Sequence, residues 1–223
     1  IKYNDTRLMP LDTEKMIKDI YQLANNRDFS NFLASGDDDF SFSLPNIGRF
    51  RVNAYRQRNS CAAVLRIVRF ELPDPKKMHI PEIVCDLANQ KKGMILVTGP
   101  AGSGKSTTLA CIIDQINQKR NTHIITIEDP IEYLHSHNKS IVSQREVFHD
   151  TKNYVAALKA ALREAPEVIL VGEMRDLETI DIAITAAETG HLIFSSLHTV
   201  GAANTIDRMI DVFPASQQQQ IRV

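Results

Sequence analysis

The sequence lacks several features that would place the protein in a specialised class. Tryptophan is absent and aromatic residues make up only 6% of the 223 residues, which argues mildly against a channel that stacks on nucleic-acid bases. The three cysteines are scattered and form no C-x-x-C pair: they are Cys61, Cys85 and Cys111. The sequence therefore predicts neither a disulfide framework nor a cysteine zinc site, and it favours a reducing compartment.

Long apolar runs and an excess of basic charge are also missing. No run approaches the roughly 18 residues that a membrane-spanning helix needs, and no signal-peptide pattern opens the chain. The net charge is −1, so the chain as a whole has no basic excess of the kind that binds nucleic acid. We expect a cytosolic protein that makes no direct contact with nucleic acid and meets a membrane only through partners.

What is present divides into two patterns. Residues 1–70 contain one amphipathic helix and three short alternating stretches, at residues 40–44, 49–56 and 62–70, which predict a small α+β domain built on an antiparallel meander. Residues 71–78 are rich in proline and charge and predict a linker. The chain begins with Ile1 and stops in what looks like the start of a helix, so we expect the native protein to extend beyond both ends.

From residue 79 to 223, short apolar strands alternate with helical patterns. The predicted strands are residues 94–98, 124–127, 168–171 and 192–197, and the predicted helices are residues 81–89, 105–118, 154–163, 177–188 and 202–209. This alternation predicts an α/β fold with a mostly parallel sheet that is covered on both faces. Ligands of such sheets bind beyond the carboxyl ends of the strands.

One stretch at the end of the first of these strands fits the phosphate-binding pattern G-x-x-x-x-G-K-[ST]. It consists of Gly99, Pro100, Ala101, Gly102, Ser103, Gly104, Lys105 and Ser106, and Thr107 continues it into a helix. The order strand, glycine loop and helix is the context that makes this pattern specific. Backbone N–H groups would bind phosphates, Lys105 would reach the β- and γ-phosphates, and the Ser106 hydroxyl would hold Mg²⁺. The sequence therefore predicts a site for a nucleoside triphosphate.

Polar residues follow each of the other strands of this region. Glu128 and Asp129 follow the second strand, with Glu132 three residues on; Glu173 follows the third, and His198 the fourth. A carboxylate after an apolar strand can hold Mg²⁺ through water or orient an attacking water. Taken singly, each also has a structural interpretation, as a capping turn or a core histidine. Their shared location favours a catalytic role.

These motifs together resemble the secretion ATPases, and in particular the PilT-like retraction ATPases of type IV pili. Residues 128–132 resemble the Asp box of that family, residues 171–176 its Walker B motif, and residues 189–199 its His box. The similarity also includes residues 48–53, 143–147 and 210–214. The P-loop has Ala101 where the family often has Thr, and the family's C-terminal helical region is not reached.

The resemblance implies a RecA-like P-loop core behind a PAS-like N-terminal domain, assembled as a homo-hexamer that hydrolyses ATP with Mg²⁺. Glu132 would polarise the attacking water together with Glu173, and His198 would link the nucleotide state to domain position. Ser106, Glu128, Asp129 and Glu173 would be the Mg²⁺ ligands, partly through water. The motor would act on an inner-membrane pilus platform protein, which places it in the cytoplasm at that membrane.

Arginines of the N-terminal strands would contact the phosphates, in the same subunit or a neighbour. The candidates, which the sequence does not rank, are Arg49, Arg51, Arg56 and Arg66. Guanidinium suits this role because its planar fork matches phosphate oxygens and it stays charged. The alternative is a solvated strand face.

Three other functions stay open at this point. One is a pilus-assembly or type II/IV secretion ATPase of the same superfamily, although residues 163–167 look more like the retraction branch. A nucleic-acid translocase would need a basic, aromatic channel, and a regulatory nucleotide-binding module would not need the intact Lys105 and Glu173. His135 and His137 are interpreted as members of an exposed polar loop and not as metal ligands.

Overall fold

A computed structural model describes residues 7–45, 47–68 and 71–222. The chain divides into two compact units, Ile1–Arg69 and Phe70–Val223. Each unit has its own hydrophobic core, and each is described by itself below. No helix in the described ranges is both long enough and apolar enough to cross a bilayer.

The smaller unit is an antiparallel meander packed against helices. Its elements are α1 (Pro10–Leu23), α2 (Ser30–Ser35), β1 (Asp37–Leu44), β2 (Gly48–Gln57) and β3 (Ser60–Val68), with the strands in the order β1-β2-β3. Tyr21 of α1 packs against Phe40 of β1 with ring centroids 4.7 Å apart, and its hydroxyl donates to Asp38. The three strands of the meander match the prediction. Helix α2 was not predicted, and residues 69 and 70 of the predicted third strand lie outside the described ranges.

The larger unit alternates helices with parallel strands. Its elements in chain order are α3 (Glu82–Cys85), β4 (Gly93–Thr98), α4 (Lys105–Lys119), β5 (His123–Glu128), β6 (Ile141–Glu146), α5 (Tyr154–Ala161), β7 (Val168–Val171), α6 (Leu177–Glu188), β8 (Leu192–Leu197), α7 (Ala202–Asp211) and α8 (Ala215–Ile221). The strands form one five-stranded sheet in the order β4-β8-β7-β5-β6, and every neighbouring pair is parallel. The prediction of an α/β fold with a parallel sheet is therefore confirmed.

Two predictions for this unit were wrong in detail. The sequence predicted four strands, and the structure adds β6 at the sheet edge next to β5. The helix predicted over residues 81–89 is a single turn of α-helix, Glu82–Cys85, followed by a 3₁₀ helix over Asp86–Asn89.

Both faces of the parallel sheet are buried beneath helices. On one face, side chains of α4 pack against alternate residues of β5, β7 and β8, including Ile112, Ile113 and Phe194. On the other face, α5 and α6 pack against the intervening residues, including Ile125, Ile169 and Ile193. A strand that is buried on both faces has no polar side in its middle, which explains its continuous apolar sequence.

We predict that Ile113→Ala will destabilise the larger unit. Ile113 has 0% of its surface exposed, so the substitution leaves a cavity in a packed core and should lower the free energy of unfolding by about 2–5 kcal/mol. The matched control is Ile83→Ala, because Ile83 is also helical but is 77% exposed; it should change the free energy by no more than about 0.5 kcal/mol. Urea unfolding of both variants measures the difference, and equal effects would contradict this description of the core.

Candidate functional site

The register of the sheet brings four strand ends together. Thr98 of β4 pairs with Leu197 of β8, and Val171 of β7 lies between Ser195 of β8 and Ile127 of β5. All four strands run in the same direction, so the residues that follow them lie together beyond the carboxyl ends of the strands. The predicted convergence of the P-loop with the residues after β5, β7 and β8 is therefore present in the fold.

The P-loop has the backbone conformation that its glycines allow. Gly102 and Gly104 have φ angles of 76° and 92°, in the left-handed region that other residues rarely adopt. Helix α4 begins directly after them at Lys105. The positive end of its dipole and its free N–H groups thus lie at the P-loop, which makes this helix start suited to binding an anion.

Lys105 is buried by its own loop. Only 8% of its surface is exposed, and its ammonium donates hydrogen bonds of 3.0 Å to the carbonyl oxygens of both Gly99 and Pro100. These bonds satisfy the charge inside the loop. The ammonium is therefore held beside the phosphate-binding backbone in a defined position.

A cleft of about 300 Å³ opens where the strand ends meet. Nine of the predicted site residues line it: Ala101, Gly102, Lys105, Ser106, Glu128, Asp129, Glu132, Glu173 and His198. The other predicted P-loop residues, Gly99, Pro100, Ser103, Gly104 and Thr107, build the loop and the first helical turn beneath that lining. The cleft thus contains the cations Lys105 and Arg175, a helix start suited to binding an anion, and four carboxylates.

Glu128 is held by hydrogen bonds at the end of β5. The Thr126 hydroxyl donates to its Oε1 at 2.6 Å, and the Gln144 amide donates to the same oxygen at 3.3 Å. Burial raises the pKa of the Glu128 carboxyl to about 7, and these two hydrogen bonds oppose that rise by favouring the charged form. A cation that entered the cleft would favour the charged form of this carboxylate and so lower its pKa.

Glu173 lies at the centre of a small charged cluster. Its Oε2 is 2.8 Å from the Arg175 guanidinium and 3.9 Å from Nε2 of His198, and 18% of its side chain is exposed. Gly172, directly before Glu173, lets the backbone pass close to β5 and to Tyr154. A Cβ at position 172 would lie 3.2 Å from the Ile127 carbonyl oxygen and 3.3 Å from the Tyr154 hydroxyl. The structure therefore brings Glu173 and His198, two of the predicted site residues, close together.

The arginine candidates lie in the smaller unit, and they divide between the two faces of its sheet. Arg51 is directly opposite Arg66 across β2 and β3, and Arg49 shares their face by strand alternation. Arg51 also pairs with Asp39 at 3.0 Å. Arg56 is on the other face, where its guanidinium lies 5.8 Å from the centre of the Phe32 ring.

The sequence analysis missed several residues that line or support the cleft. Tyr133, Tyr154 and His135 contribute to its lining, and Gln144 of β6 bonds to Glu128. Burial raises the pKa of Tyr154, and the carboxylates of Glu173 and Asp129 raise it further. Residues 143–147 were part of the resemblance, which was the available signal for Gln144.

The interpretation of His135 as an exposed loop residue was wrong. Its side chain is partly enclosed beside the cleft, and burial lowers its pKa to about 4, so it is neutral near pH 7. His137 is exposed, as expected, and its Nδ1 accepts a hydrogen bond from the N–H of Val142. Within the described ranges no group of three or more His, Cys, Asp or Glu side chains could hold a metal by itself.

The cleft nevertheless offers the ligand chemistry of a nucleotide-bound Mg²⁺. Mg²⁺ prefers oxygen ligands, keeps several waters, and is commonly held by one or two carboxylates and by substrate phosphates. Ser106, Glu128, Asp129 and Glu173 all line the cleft beside the P-loop. The donor set therefore fits the ion through which a triphosphate is normally bound.

Comparisons with known proteins agree with this geometry. The chain is 48% identical to the type IV pilus retraction ATPase PilT of Pseudomonas aeruginosa, over 96% of this chain and 62% of the relative. It is 54% identical to a twitching motility protein of Neisseria gonorrhoeae, over 82% of this chain and 49% of that protein. The chain thus spans between about half and two thirds of the length of these relatives.

A solved structure shares the fold. The crystal structure of the pilus retraction motor PilT with bound ADP matches with a TM-score of 0.89 and 54% identity, over 97% of this chain and 62% of that one. The family model described as type II/IV secretion system protein matches residues 22–221. The chain belongs to the family of type II/IV secretion system proteins.

Proposed function

We propose that this chain carries the catalytic core of a motor that hydrolyses ATP to retract type IV pili. The observation that carries the proposal is the meeting of the P-loop with Glu128, Glu132, Glu173 and His198 at one cleft. A phosphate-binding backbone beside several carboxylates is the equipment of phosphoryl transfer to water. The names of the Pseudomonas and Neisseria relatives support pilus retraction and twitching motility as the process served.

Binding uses the loop and its lysine. The N–H groups of the P-loop and the start of α4 bind the β- and γ-phosphates. The Lys105 ammonium transfers its hydrogen bonds from the carbonyl oxygens of Gly99 and Pro100 to phosphate oxygens. A positive charge beside the γ-phosphate then stabilises the charge that develops there during transfer. The Ser106 hydroxyl and the carboxylates of Glu128, Asp129 and Glu173 would hold Mg²⁺, partly through water, and the bound ion would supply positive charge beside the phosphates.

Hydrolysis uses the two carboxylates that face the cleft from different loops. Glu132 polarises the water that attacks the γ-phosphorus in line with the leaving group, and Glu173 acts with it. His198, 3.9 Å from Glu173, links the state of the γ-phosphate to α7, which follows β8 in the chain. Arg49, Arg51 and Arg66 share one face of their sheet, so they are better placed than Arg56 to act together on phosphates.

The resemblance extends the proposal to the assembly. We propose a homo-hexameric ring that works on an inner-membrane pilus platform protein from the cytoplasmic side. Cyclic binding and hydrolysis of ATP would move the domains of the ring and drive disassembly of the pilus.

We predict that Glu132→Gln and Glu173→Gln will each retain ATP binding and lose turnover. Glutamine keeps the size of the side chain but cannot accept a proton or carry the charge, and kcat should fall by about 100-fold or more. Glu178→Gln is the control, because Glu178 is exposed and pairs with Lys159 away from the cleft. Phosphate release and calorimetric titration with an ATP analogue measure the two properties. Turnover at the wild-type rate in both cleft variants would remove this pair from the mechanism.

We predict that deleting the gene will produce cells that have surplus pili and do not twitch. Pili that assemble but cannot be withdrawn accumulate on the surface, so electron microscopy together with a motility assay measures retraction directly. Loss of pili would instead indicate an assembly ATPase. Strong stimulation of the purified ATPase by DNA would favour a translocase.

A further inference from the structure

The loop between β5 and β6 carries Glu132, and its conformation decides where that carboxylate lies. Residues 129–140 form this loop, and Glu132 is exposed at the cleft. An exposed side chain on a loop cannot orient water unless the backbone that carries it is held. The contacts of the residues next to Glu132 therefore matter for the chemistry.

Gln144 of β6 holds the loop through its side-chain amide. Its Nε2 donates to the Tyr133 carbonyl oxygen at 2.9 Å and to Glu128 Oε1 at 3.3 Å, and its Oε1 accepts the N–H of His135 at 2.7 Å. Reversing the amide would set its oxygen against a carbonyl and a carboxylate, so the three contacts define one orientation. One side chain thus joins the end of β5 to the two peptides that follow Tyr133.

Tyr133 is held at its other end by the P-loop helix. Its hydroxyl is 3.0 Å from the hydroxyl of Thr107, in the first turn of α4. The residue directly after Glu132 is therefore fixed twice, at its carbonyl by Gln144 and at its hydroxyl by Thr107. This places the backbone of Glu132 relative to the phosphate-binding loop.

The rest of the loop has separate anchors. The Ile131 N–H donates to Glu146 at 3.2 Å, and the Asn117 side chain donates to the Ser136 carbonyl oxygen at 2.8 Å. These bonds do not involve Gln144 or Tyr133. The backbone N–H of Glu132 also bonds to the Glu128 carboxylate. Removing the contacts of Gln144 should therefore loosen the backbone of residues 133–135 next to Glu132, while these other bonds keep the loop folded.

We propose that Tyr133 and Gln144 are positioning residues that hold Glu132 at the γ-phosphate, an inference that rests on the proposed ATP hydrolysis. Neither residue contacts the reacting atoms. Gln144 acts through the peptides of Tyr133 and His135, and Tyr133 connects the same peptides to the nucleotide-binding helix.

The test compares Gln144→Glu and Tyr133→Phe with matched controls in the full-length protein. Glutamate keeps the shape of glutamine but sets carboxylate oxygens against Glu128 and the Tyr133 carbonyl, and phenylalanine removes only the hydroxyl. We expect kcat to fall by about 10-fold or more in each variant, a typical loss when an orienting contact is removed. KM for ATP, binding of an ATP analogue and the thermal midpoint should remain near wild type.

The control variants carry the same residue changes, Gln to Glu and Tyr to Phe, at other positions in the chain. Gln118→Glu alters a glutamine of α4 that bonds Asp114, and Tyr55→Phe alters a tyrosine of the smaller unit. Both should turn over ATP at the wild-type rate. The double variant should be no slower than the slower single variant, because both contacts hold Tyr133 and their losses are not additive.

Unchanged kcat in both Gln144→Glu and Tyr133→Phe would overturn the proposal. A parallel loss of stability, ATP affinity and rate would also overturn it, because that result indicates a structural role alone. Amide hydrogen exchange of residues 130–136 separates this question from the proposed function. Faster exchange in Gln144→Glu supports the positioning role even if the wild-type protein hydrolyses nothing, and that result would refute ATP hydrolysis separately. Unchanged exchange overturns the positioning role.

Discussion

The parallel pairing of β4, β8, β7 and β5 is the constraint on which the rest of the structure depends. Because the four strands run in the same direction, their carboxyl ends lie at the same end of the sheet. Thr98 is paired there with Leu197, and Val171 with Ser195. Helices must bury both faces of such a sheet, so polar side chains are concentrated where the strands end. The cleft therefore follows from the same pairing that builds the core.

Within that cleft, Lys105, Glu173 and Glu128 each have a partner within the protein. The Lys105 ammonium donates hydrogen bonds to carbonyl oxygens of its own loop, and the Glu173 carboxylate forms an ion pair with Arg175. Glu128 is held by donors from β5 and β6, and its pKa is raised to about 7 by burial. A triphosphate with its cation would replace these internal partners, because it brings negative charge to the lysine and positive charge to the carboxylates.

The sequence predicted the buried strands and the P-loop because their signals are local. Residues 168–171 form a continuous apolar run, and the glycine pattern before Lys105 has few structural alternatives. Strand β6 was missed because four of its six residues are polar, Ser143 to Glu146, so it has no apolar run. Those polar residues support the cleft: Gln144 and Glu146 bond to the loop that carries Glu132. Contacts between Tyr133, Gln144 and Thr107 join residues far apart in the chain, so no local pattern reveals them.

The most direct test of the central claim is a crystal structure of the full-length protein with a non-hydrolysable ATP analogue and Mg²⁺. We expect phosphates enclosed by the backbone N–H groups of the P-loop, the Lys105 ammonium on phosphate oxygens, and the metal on the Ser106 hydroxyl. We also expect an ordered water between the γ-phosphorus and the carboxylates of Glu132 and Glu173. A nucleotide bound elsewhere, or a γ-phosphate with neither carboxylate within reach of its attacking water, would contradict the central claim.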